Sequence, residues 1–157
     1  MRIMGCDPST FTGLCMLDGE ETKSKLLHFA KAKAFDRLAL LEKSFEATLD
    51  DWKPELVVIE GYAYGNVTSL VTLVEIGTLL RKAMYVRRIP WYDAPPSVLK
   101  KFATGKGNAK KVEVGVAVKA KWGFESKSDD IVDAYVLAQL GRVLTSKDDS
   151  FNKGVSY

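Results

Sequence analysis

Residues 1–30 read MRIMGCDPSTFTGLCMLDGEETKSKLLHFA, and this opening stretch decides the fold class. It contains three apolar segments, Met1–Asp7, Thr12–Leu17 and Lys25–Ala30. A turn at Pro8–Thr10 and a second turn at Gly19 separate them. Short apolar segments joined by turn residues are typical of antiparallel strands. The stretch therefore predicts a three-stranded meander with Asp7 at the end of its first strand.

The rest of the chain alternates helical and extended patterns. One helical face carries a regular apolar set, Leu38, Leu41, Phe45 and Leu49, which predicts a helix over Ala34–Trp52. Further segments are predicted as strands at Leu56–Ile59 and Ile89–Tyr92, and as helices at Val67–Val86, Pro95–Lys101, Ala109–Trp122 and Asp129–Leu144. This order favours an α/β domain over residues 1–145, in which helices flank a mixed five-stranded sheet. Residues 146–157 are expected to form a loose polar tail.

The composition is that of a soluble globular protein. Hydrophobic residues make up 46% of the chain and charged residues 27%. No apolar run reaches the roughly 20 residues that a membrane helix needs, and the N-terminus lacks the pattern of a signal peptide. We therefore expect a cytoplasmic protein with no membrane partner. His28 is the only histidine, and Cys6 and Cys15 are expected to be buried free thiols, so no zinc site is predicted.

Charge is distributed unevenly along the chain. Residues 81–127 contain twelve Lys or Arg and three Asp or Glu, a net charge of +9. The other 110 residues contain eleven basic and seventeen acidic side chains, a net charge of −6. Such a basic segment is either a solvated helical surface or a binding surface for a polyanion such as nucleic acid.

Four acidic residues occupy positions where they can meet. Asp7 and Glu60 each end a predicted strand, and ligand sites of α/β sheets gather at the carboxyl ends of strands. Asp130 and Asp133 are three residues apart and share a face of the last helix, which also carries apolar residues. Acids on an inward face are costly unless they are paired or bind a metal. Carboxylates without His or Cys suit Mg²⁺ or Mn²⁺.

Each acid alone also has an ordinary structural explanation. Asp7 could be a turn residue before Pro8, Glu60 a surface residue at a strand end, and Asp130 a first-turn residue that favours the helix dipole. Their joint occurrence favours a metal site. Carboxylates beside a basic surface suggest hydrolysis of phosphodiester bonds, in which one metal ion activates water and a second stabilises the leaving 3′ oxygen.

Four motifs resemble, in order and in spacing, those of RuvC-type Holliday-junction resolvases of the RNase H-like superfamily. GCDPSTFTG (residues 5–13) is similar to the first-strand motif of that family, and VVIEGYAYG (57–65) to its fourth-strand motif. KKFATGKGNAKKVEV (100–114) is similar to its Gly-rich loop and basic helix, and DDIVDAYVLA (129–138) to its D-x-x-D helix. Together the motifs span most of residues 2–141.

The resemblance implies an RNase H-like fold and a Mg²⁺-dependent endodeoxyribonuclease. It implies a homodimer that makes paired incisions in branched DNA, with two Mg²⁺ ions per active site and Mn²⁺ as a substitute. Asp7 would bridge both metal ions, and Glu60, Asp130 and Asp133 would complete their shell. Lys100 and Lys111 match family lysines near the scissile phosphate, and Lys111 is expected to assist the reaction. The family dimerises through the helix that corresponds to Val67–Val86.

Two departures separate this chain from the cellular members of the family. The turn after Asp7 is one residue shorter and lacks its first glycine, and the aromatic residue that cellular enzymes insert at the junction falls on Ala63. Tyr62 or Tyr64 can replace it by stacking on a base. These changes suggest a bacteriophage member that acts in the host cytoplasm and also cuts forks or flaps. The DNA-contacting residues that we expect are Lys100, Lys101, Lys106, Lys110, Lys111, Tyr62, Tyr64, Arg81 and Arg87.

Three other functions are compatible with parts of the pattern. An RNase H-like nuclease could act on another substrate, an RNA–DNA hybrid or a structured RNA. A catalytically inactive junction-binding protein would keep the fold, although retention of all four acids argues against it. An ATP-using enzyme of the actin and sugar-kinase class shares the pattern of Asp7–Gly13, but such enzymes need two domains and lack a terminal D-x-x-D helix.

Overall fold

The computed structural model describes residues 1–29, 31–62, 67–146 and 155–156. Within these ranges the main sheet has five strands: β1 (Ile3–Asp7), β2 (Phe11–Asp18), β3 (Glu21–His28), β4 (Leu56–Glu60) and β5 (Trp91–Ala94). The flanking helices are α1 (Ala34–Trp52), α2 (Val67–Val86), α3 (Pro96–Thr104), α4 (Lys111–Trp122) and α5 (Asp129–Ser146). The predicted α/β class with a mixed five-stranded sheet is confirmed. The predicted bounds of α1 and α2 coincide with the observed ones.

The strand order places β1 and β4 next to each other in the middle of the sheet. The order is β3-β2-β1-β4-β5, with β1 parallel to β4 and β4 parallel to β5. The β1–β2 and β2–β3 pairs are antiparallel. A two-residue strand, β6 (Val155–Ser156), pairs with β5 and extends that edge. Residues 147–154 and 157 lie outside the described residues.

Strand β3 begins four residues earlier than its apolar pattern predicts. It pairs with β2 from Glu21, opposite Asp18, to His28, opposite Phe11. The turn between the two strands contains Gly19, whose φ of +57° suits glycine. Residues 21–26 are exposed because β3 is an edge strand. A polar edge strand lacks the alternation that marks a half-buried one, which is why the sequence pattern missed its first half.

Two apolar layers hold the helices on opposite faces of the sheet. One face packs Met4 and Val57 against α1 and α2, with Phe45 fully buried at the centre. The other face packs Ile3 and Val58 against α3, α4 and α5. Burial of each large apolar side chain contributes about 1.5–3 kcal/mol, so both helical layers are firmly fixed. None of the helices in the described ranges is long and apolar enough to cross a membrane.

Candidate active site

Asp7 and Glu60 stand side by side at the carboxyl ends of the two central strands. The parallel register pairs Cys6 with Ile59, so the two acids follow at the same level. Each of the two acids affects the pKa of the other, so their carboxyl groups lie close together. Asp7 is only 6% exposed, which excludes the alternative of a solvated turn residue. The structure thus brings together the two strand-end acids that the sequence singled out.

Two glycines allow α5 to bring its acids to the same place. A Cβ at Gly5 would lie 1.8 Å from the carbonyl oxygen of Ala134, and one at Gly13 would lie 2.1 Å from that of Asp130. Any larger residue would push the α5 backbone away from the sheet. Sequence reasoning missed this role, although a glycine inside a strand is a known sign of close approach by another backbone.

Burial and neighbouring charges raise the pKa values of three cleft acids, Asp7, Glu60 and Asp133. Burial, followed by the charges of Glu60 and Asp133, raises the pKa of Asp7 well above its usual range. Burial also raises the pKa of Glu60. Burial and the charge of Glu60 raise the pKa of Asp133 to about 6. Buried like charges of this kind destabilise the folded protein, and a bound cation would offset that cost.

A cleft of about 300 Å³ connects the acids to two lysines. Its lining includes Asp7, Glu60, Asp130, Asp133, Lys100 and Lys111. Lys100 lies on α3, and Lys111 is the first residue of α4. Burial lowers the pKa of Lys111, but the charges of Asp133 and other cleft acids outweigh it and raise that pKa, so the ammonium stays charged. The two lysines that were expected near the scissile phosphate therefore reach the acidic cluster.

Helix α4 is held in position at both of its ends. At its start, the backbone N–H of Lys110 donates to the Glu113 carboxylate at 2.7 Å. At its end, Trp122 packs against Phe102 of α3 and Tyr135 of α5, with ring centroids 5.7 and 6.0 Å away. These contacts fix the helix that carries Lys111. The aromatic contacts join three helices and were not predicted.

The four acids of the cleft suit a hard divalent cation, because they offer carboxylate oxygens and the lining includes no His or Cys. In the described part of the chain, no three His, Cys, Asp or Glu side chains already stand where they could hold one metal ion. Burial raises the pKa of both Asp7 and Glu60, which favours their protonated forms. Metal ligands must be deprotonated, so a bound cation would favour the charged forms of these acids. On donor chemistry the residues fit Mg²⁺ or Mn²⁺.

Tyr62 lines the cleft and is clamped by Arg81. The Arg81 guanidinium lies 4.9 Å from the centre of the Tyr62 ring and donates to its hydroxyl at 3.2 Å. Arg81 also pairs with Asp93 on β5. Gly77 leaves room for this arrangement, because a Cβ there would lie 2.6 Å from the guanidinium and 2.8 Å from the hydroxyl. Two predicted DNA contacts are therefore tied to each other. Tyr64 and Ala63 lie outside the described residues.

The remaining predicted DNA contacts are not all near the cleft. Arg87 pairs with Asp50 at 2.7 Å and with Glu46 at 3.2 Å, both on α1. These two salt bridges hold the Arg87 guanidinium against α1, on the face of the sheet opposite α5. Lys101, Lys106 and Lys110 are exposed on α3 and on the segment that leads into α4, outside the cleft lining.

The cysteines and the histidine take no part in the cleft. Cys6 and Cys15 are buried free thiols, as predicted. Burial raises the pKa of both, that of Cys15 to about 12, so neither is a reactive thiolate. His28 is exposed at the end of β3 and stacks on Phe11.

Comparison with known proteins identifies relatives of the chain. A family model described as "Crossover junction endodeoxyribonuclease RuvC" matches residues 3–140. The protein of that name from Chlamydia caviae is 31% identical over 149 residues, 87% of this chain and 89% of the relative. That from Nocardia farcinica is 32% identical and covers 88% of this chain and 79% of its own. These are bacterial proteins, so the expected bacteriophage origin stays a prediction.

Solved structures show the same fold. The Thermus thermophilus RuvC in complex with a Holliday junction substrate superposes with a TM-score of 0.74 at 21% identity, over 88% of this chain and 90% of that one. The yeast mitochondrial Holliday junction resolvase superposes with a TM-score of 0.61 at 13% identity, over 87% and 77%. Together with the family match, these comparisons show that the chain belongs to the RuvC family of crossover junction endodeoxyribonucleases, a family of metal-dependent nucleases with the RNase H-like fold.

Proposed function

We propose that this protein is a structure-selective endonuclease that hydrolyses phosphodiester bonds in Holliday junctions and other branched DNA. The observation that carries the proposal is the convergence of four acids from β1, β4 and α5 with two lysines in one cleft. Carboxylates that can bind metal ions, beside lysines that can bind phosphate, are what phosphodiester hydrolysis requires.

The roles of the side chains follow from their positions. Asp7, Glu60, Asp130 and Asp133 would hold two Mg²⁺ ions, for which Mn²⁺ substitutes. Such ions supply an activated water and stabilise charge on the leaving 3′ oxygen. Lys111 stays charged beside the acids and binds a non-bridging oxygen of the scissile phosphate, where it offsets developing negative charge. Lys100 binds the phosphate from the α3 side of the cleft.

The wider basic surface guides DNA to the cleft. Lys101, Lys106 and Lys110 are exposed along the path from α3 to α4 and bind phosphates away from the incision. Such contacts confer affinity that falls with salt and carry little sequence information. Since α4 is fixed to α3 and α5 through Trp122, this surface keeps a constant position relative to the acids.

Two copies of the chain are needed to make paired incisions in one junction, and we place their contact on α1 and α2. Phe35 is 82% exposed there, and Leu40, Val71 and Val74 are exposed large apolar residues. Exposed apolar patches of this kind mark protein–protein contacts. A homodimer with two-fold symmetry matches the symmetry of a four-way junction. The reaction would take place in the cytoplasm, of a host cell if the protein comes from a phage.

A substrate panel tests the proposal. Labelled four-way junction, fork, flap, linear duplex and RNA–DNA hybrid are each incubated with the protein and Mg²⁺, and the Asp7→Asn variant controls for contaminating nucleases. We expect symmetric nicks in two opposing strands of the junction and none with the variant. Preferred cleavage of the hybrid would assign the protein to RNase H-like enzymes of another substrate class. Junction binding without nicks under Mg²⁺ and Mn²⁺ would make it an inactive binder.

A further inference from the structure

Phe11 and His28 form an exposed aromatic pair. They lie at the same end of the strands as the acids, where β1 and β4 terminate. They are direct partners in the β2–β3 ladder, and their rings stack with centroids 3.7 Å apart and an interplanar angle of 23°. Phe11 is 43% exposed and His28 is also exposed. An aromatic ring that packs on only one side leaves a flat surface available to another ring.

The position of the pair relative to the acids follows from the strand register. Asp7 pairs with Gly13 of β2. Phe11 precedes Gly13 by two residues, so its side chain lies on the same face of the sheet. With about 4.8 Å between strands and about 3.4 Å per residue, the Cα atoms of Phe11 and Asp7 are about 8 Å apart. Each nucleotide of a DNA strand advances by about 3.4 Å, so this separation corresponds to about two nucleotides.

A short hydrogen-bonded turn fixes Phe11 to the wall of the cleft. The Ser9 hydroxyl accepts from the backbone N–H of Phe11 at 3.0 Å, and the Thr12 hydroxyl accepts from the N–H of Ser9 at 3.3 Å. Thr12 also donates to the Ser9 carbonyl oxygen at 2.6 Å. Ser9 itself lines the cleft. A surface fixed in this way loses little conformational entropy when it binds a ligand.

We propose that the Phe11–His28 pair is a stacking platform for a nucleobase of the bound DNA, about two nucleotides from the scissile phosphate. This inference rests on the proposed nuclease function. Stacking suits the site because every base presents a π-face, so the platform binds without sequence preference. Leu26, exposed beside the pair on the same face of β3, would contact the sugar or the edge of the base.

Fluorescence of 2-aminopurine tests the platform directly. The fluorophore is placed in a four-way junction within three nucleotides of the mapped incision, and the protein is bound in EDTA so that no strand is cut. We expect lower fluorescence in the wild-type complex than in the complex of Phe11→Leu, which keeps apolar bulk but lacks the ring. Phe11→Tyr keeps the ring and should restore the wild-type signal.

Affinity and salt dependence separate stacking from phosphate binding. Phe11→Leu should weaken junction binding by about 10-fold, since stacking contributes about 1–3 kcal/mol per base. The slope of the logarithm of affinity against the logarithm of salt concentration should not change, because no phosphate contact is lost. Tyr85→Ala removes an exposed aromatic ring at the far end of α2 and should leave both quantities unchanged.

The outcomes distinguish the platform from the nuclease function. If wild-type protein neither binds nor cuts branched DNA, the proposed function fails. If it does both, while Phe11→Leu binds within two-fold of wild type and gives the same fluorescence, the platform is refuted. Thermal unfolding of each variant confirms that it is folded, and recovery by Phe11→Tyr shows that the ring itself is required.

Discussion

Charged side chains on the two sides of the sheet are arranged in opposite ways. On α1 and α2, acids and bases pair across the helices, as Arg87 does with Glu46 and Asp50. In the cleft, acids face acids, and the salt bridges within the described residues include none of the four. Paired charges are compatible with a purely structural role, whereas buried unpaired charges are characteristic of functional sites. The difference therefore favours the cleft as the candidate active site without reference to any relative.

Removal of one cleft acid should have the largest effect. Glu60→Gln keeps the size of the side chain but takes away one anionic donor, and metal-assisted stabilisation is worth several kcal/mol. We expect the rate of junction cleavage to fall by about 10³-fold or more. The matched variant Glu46→Gln, on the paired side, should retain the wild-type rate. Single-turnover cleavage under Mg²⁺ measures the rate of both variants. An equal loss of rate in the two would show that the cleft acids have no particular role in catalysis.

Two basic residues sharpen the same comparison. Lys111→Ala should slow cleavage by about 10²-fold, since it removes a donor aimed at developing charge. It should also reduce the salt slope of binding by about 0.9, the value of one phosphate contact. Arg87→Ala should leave the slope unchanged, because α1 acids already occupy its guanidinium. A lower slope for Arg87→Ala and not for Lys111→Ala would reverse the assignment of the two sides.

Two glycines test how the cleft is assembled. Gly13→Ala should lower the free energy of unfolding by about 1–3 kcal/mol and slow cleavage, because its Cβ displaces the carbonyl of Asp130 and with it the acids of α5. Gly115→Ala, in open space on α4, should instead stabilise the protein by about 0.5–1 kcal/mol. Urea unfolding measures both values. An unaffected Gly13→Ala variant would mean that α5 is not held by this contact.

Much of the site could be predicted because its residues occupy positions with a fixed geometric meaning. An acid that ends a buried strand lies at the carboxyl end of the sheet, as Asp7 and Glu60 do, and acids three residues apart share a helix face. Long helices with a regular apolar pattern, such as α1, could be predicted equally well. These inferences need only local pattern and the adjacency of β1 and β4.

The remaining features depend on tertiary contacts that local pattern does not encode. The role of Gly13 is defined only once α5 lies on the sheet. The sequence does not distinguish the basic residues from one another. In the structure Arg87 forms a salt bridge with an acid of α1, and the guanidinium of Arg81 packs over the ring of Tyr62. The first half of β3 and the short strand β6 are edge elements, whose residues lack a buried face to pattern them.

The pH dependence of stability should show the cost of the cleft acids. In EDTA, the raised pKa of Asp7 means that the folded state holds its proton more tightly than the unfolded state does. Its contribution is therefore fully present below the usual carboxyl pKa and is lost as pH rises through the folded-state value. Asp7→Asn should match wild type at low pH and become relatively more stable at higher pH. Urea unfolding midpoints of both proteins across a pH series test this prediction. A stability advantage of the variant that shrinks as pH rises would contradict it.

The most direct test is urea unfolding of wild type and Asp7→Asn at pH 8, in EDTA and in Mg²⁺. Without metal, the variant should be the more stable by on the order of 1–2 kcal/mol, because a buried charge among like charges is gone. Saturating Mg²⁺ should stabilise the wild type by about 2.7 kcal/mol at a hundredfold excess over the dissociation constant, and the variant much less. The order of stability should therefore reverse. A variant that is less stable than wild type in EDTA, or that gains as much from Mg²⁺, would contradict the claim that the repulsion among these acids is relieved by a bound metal.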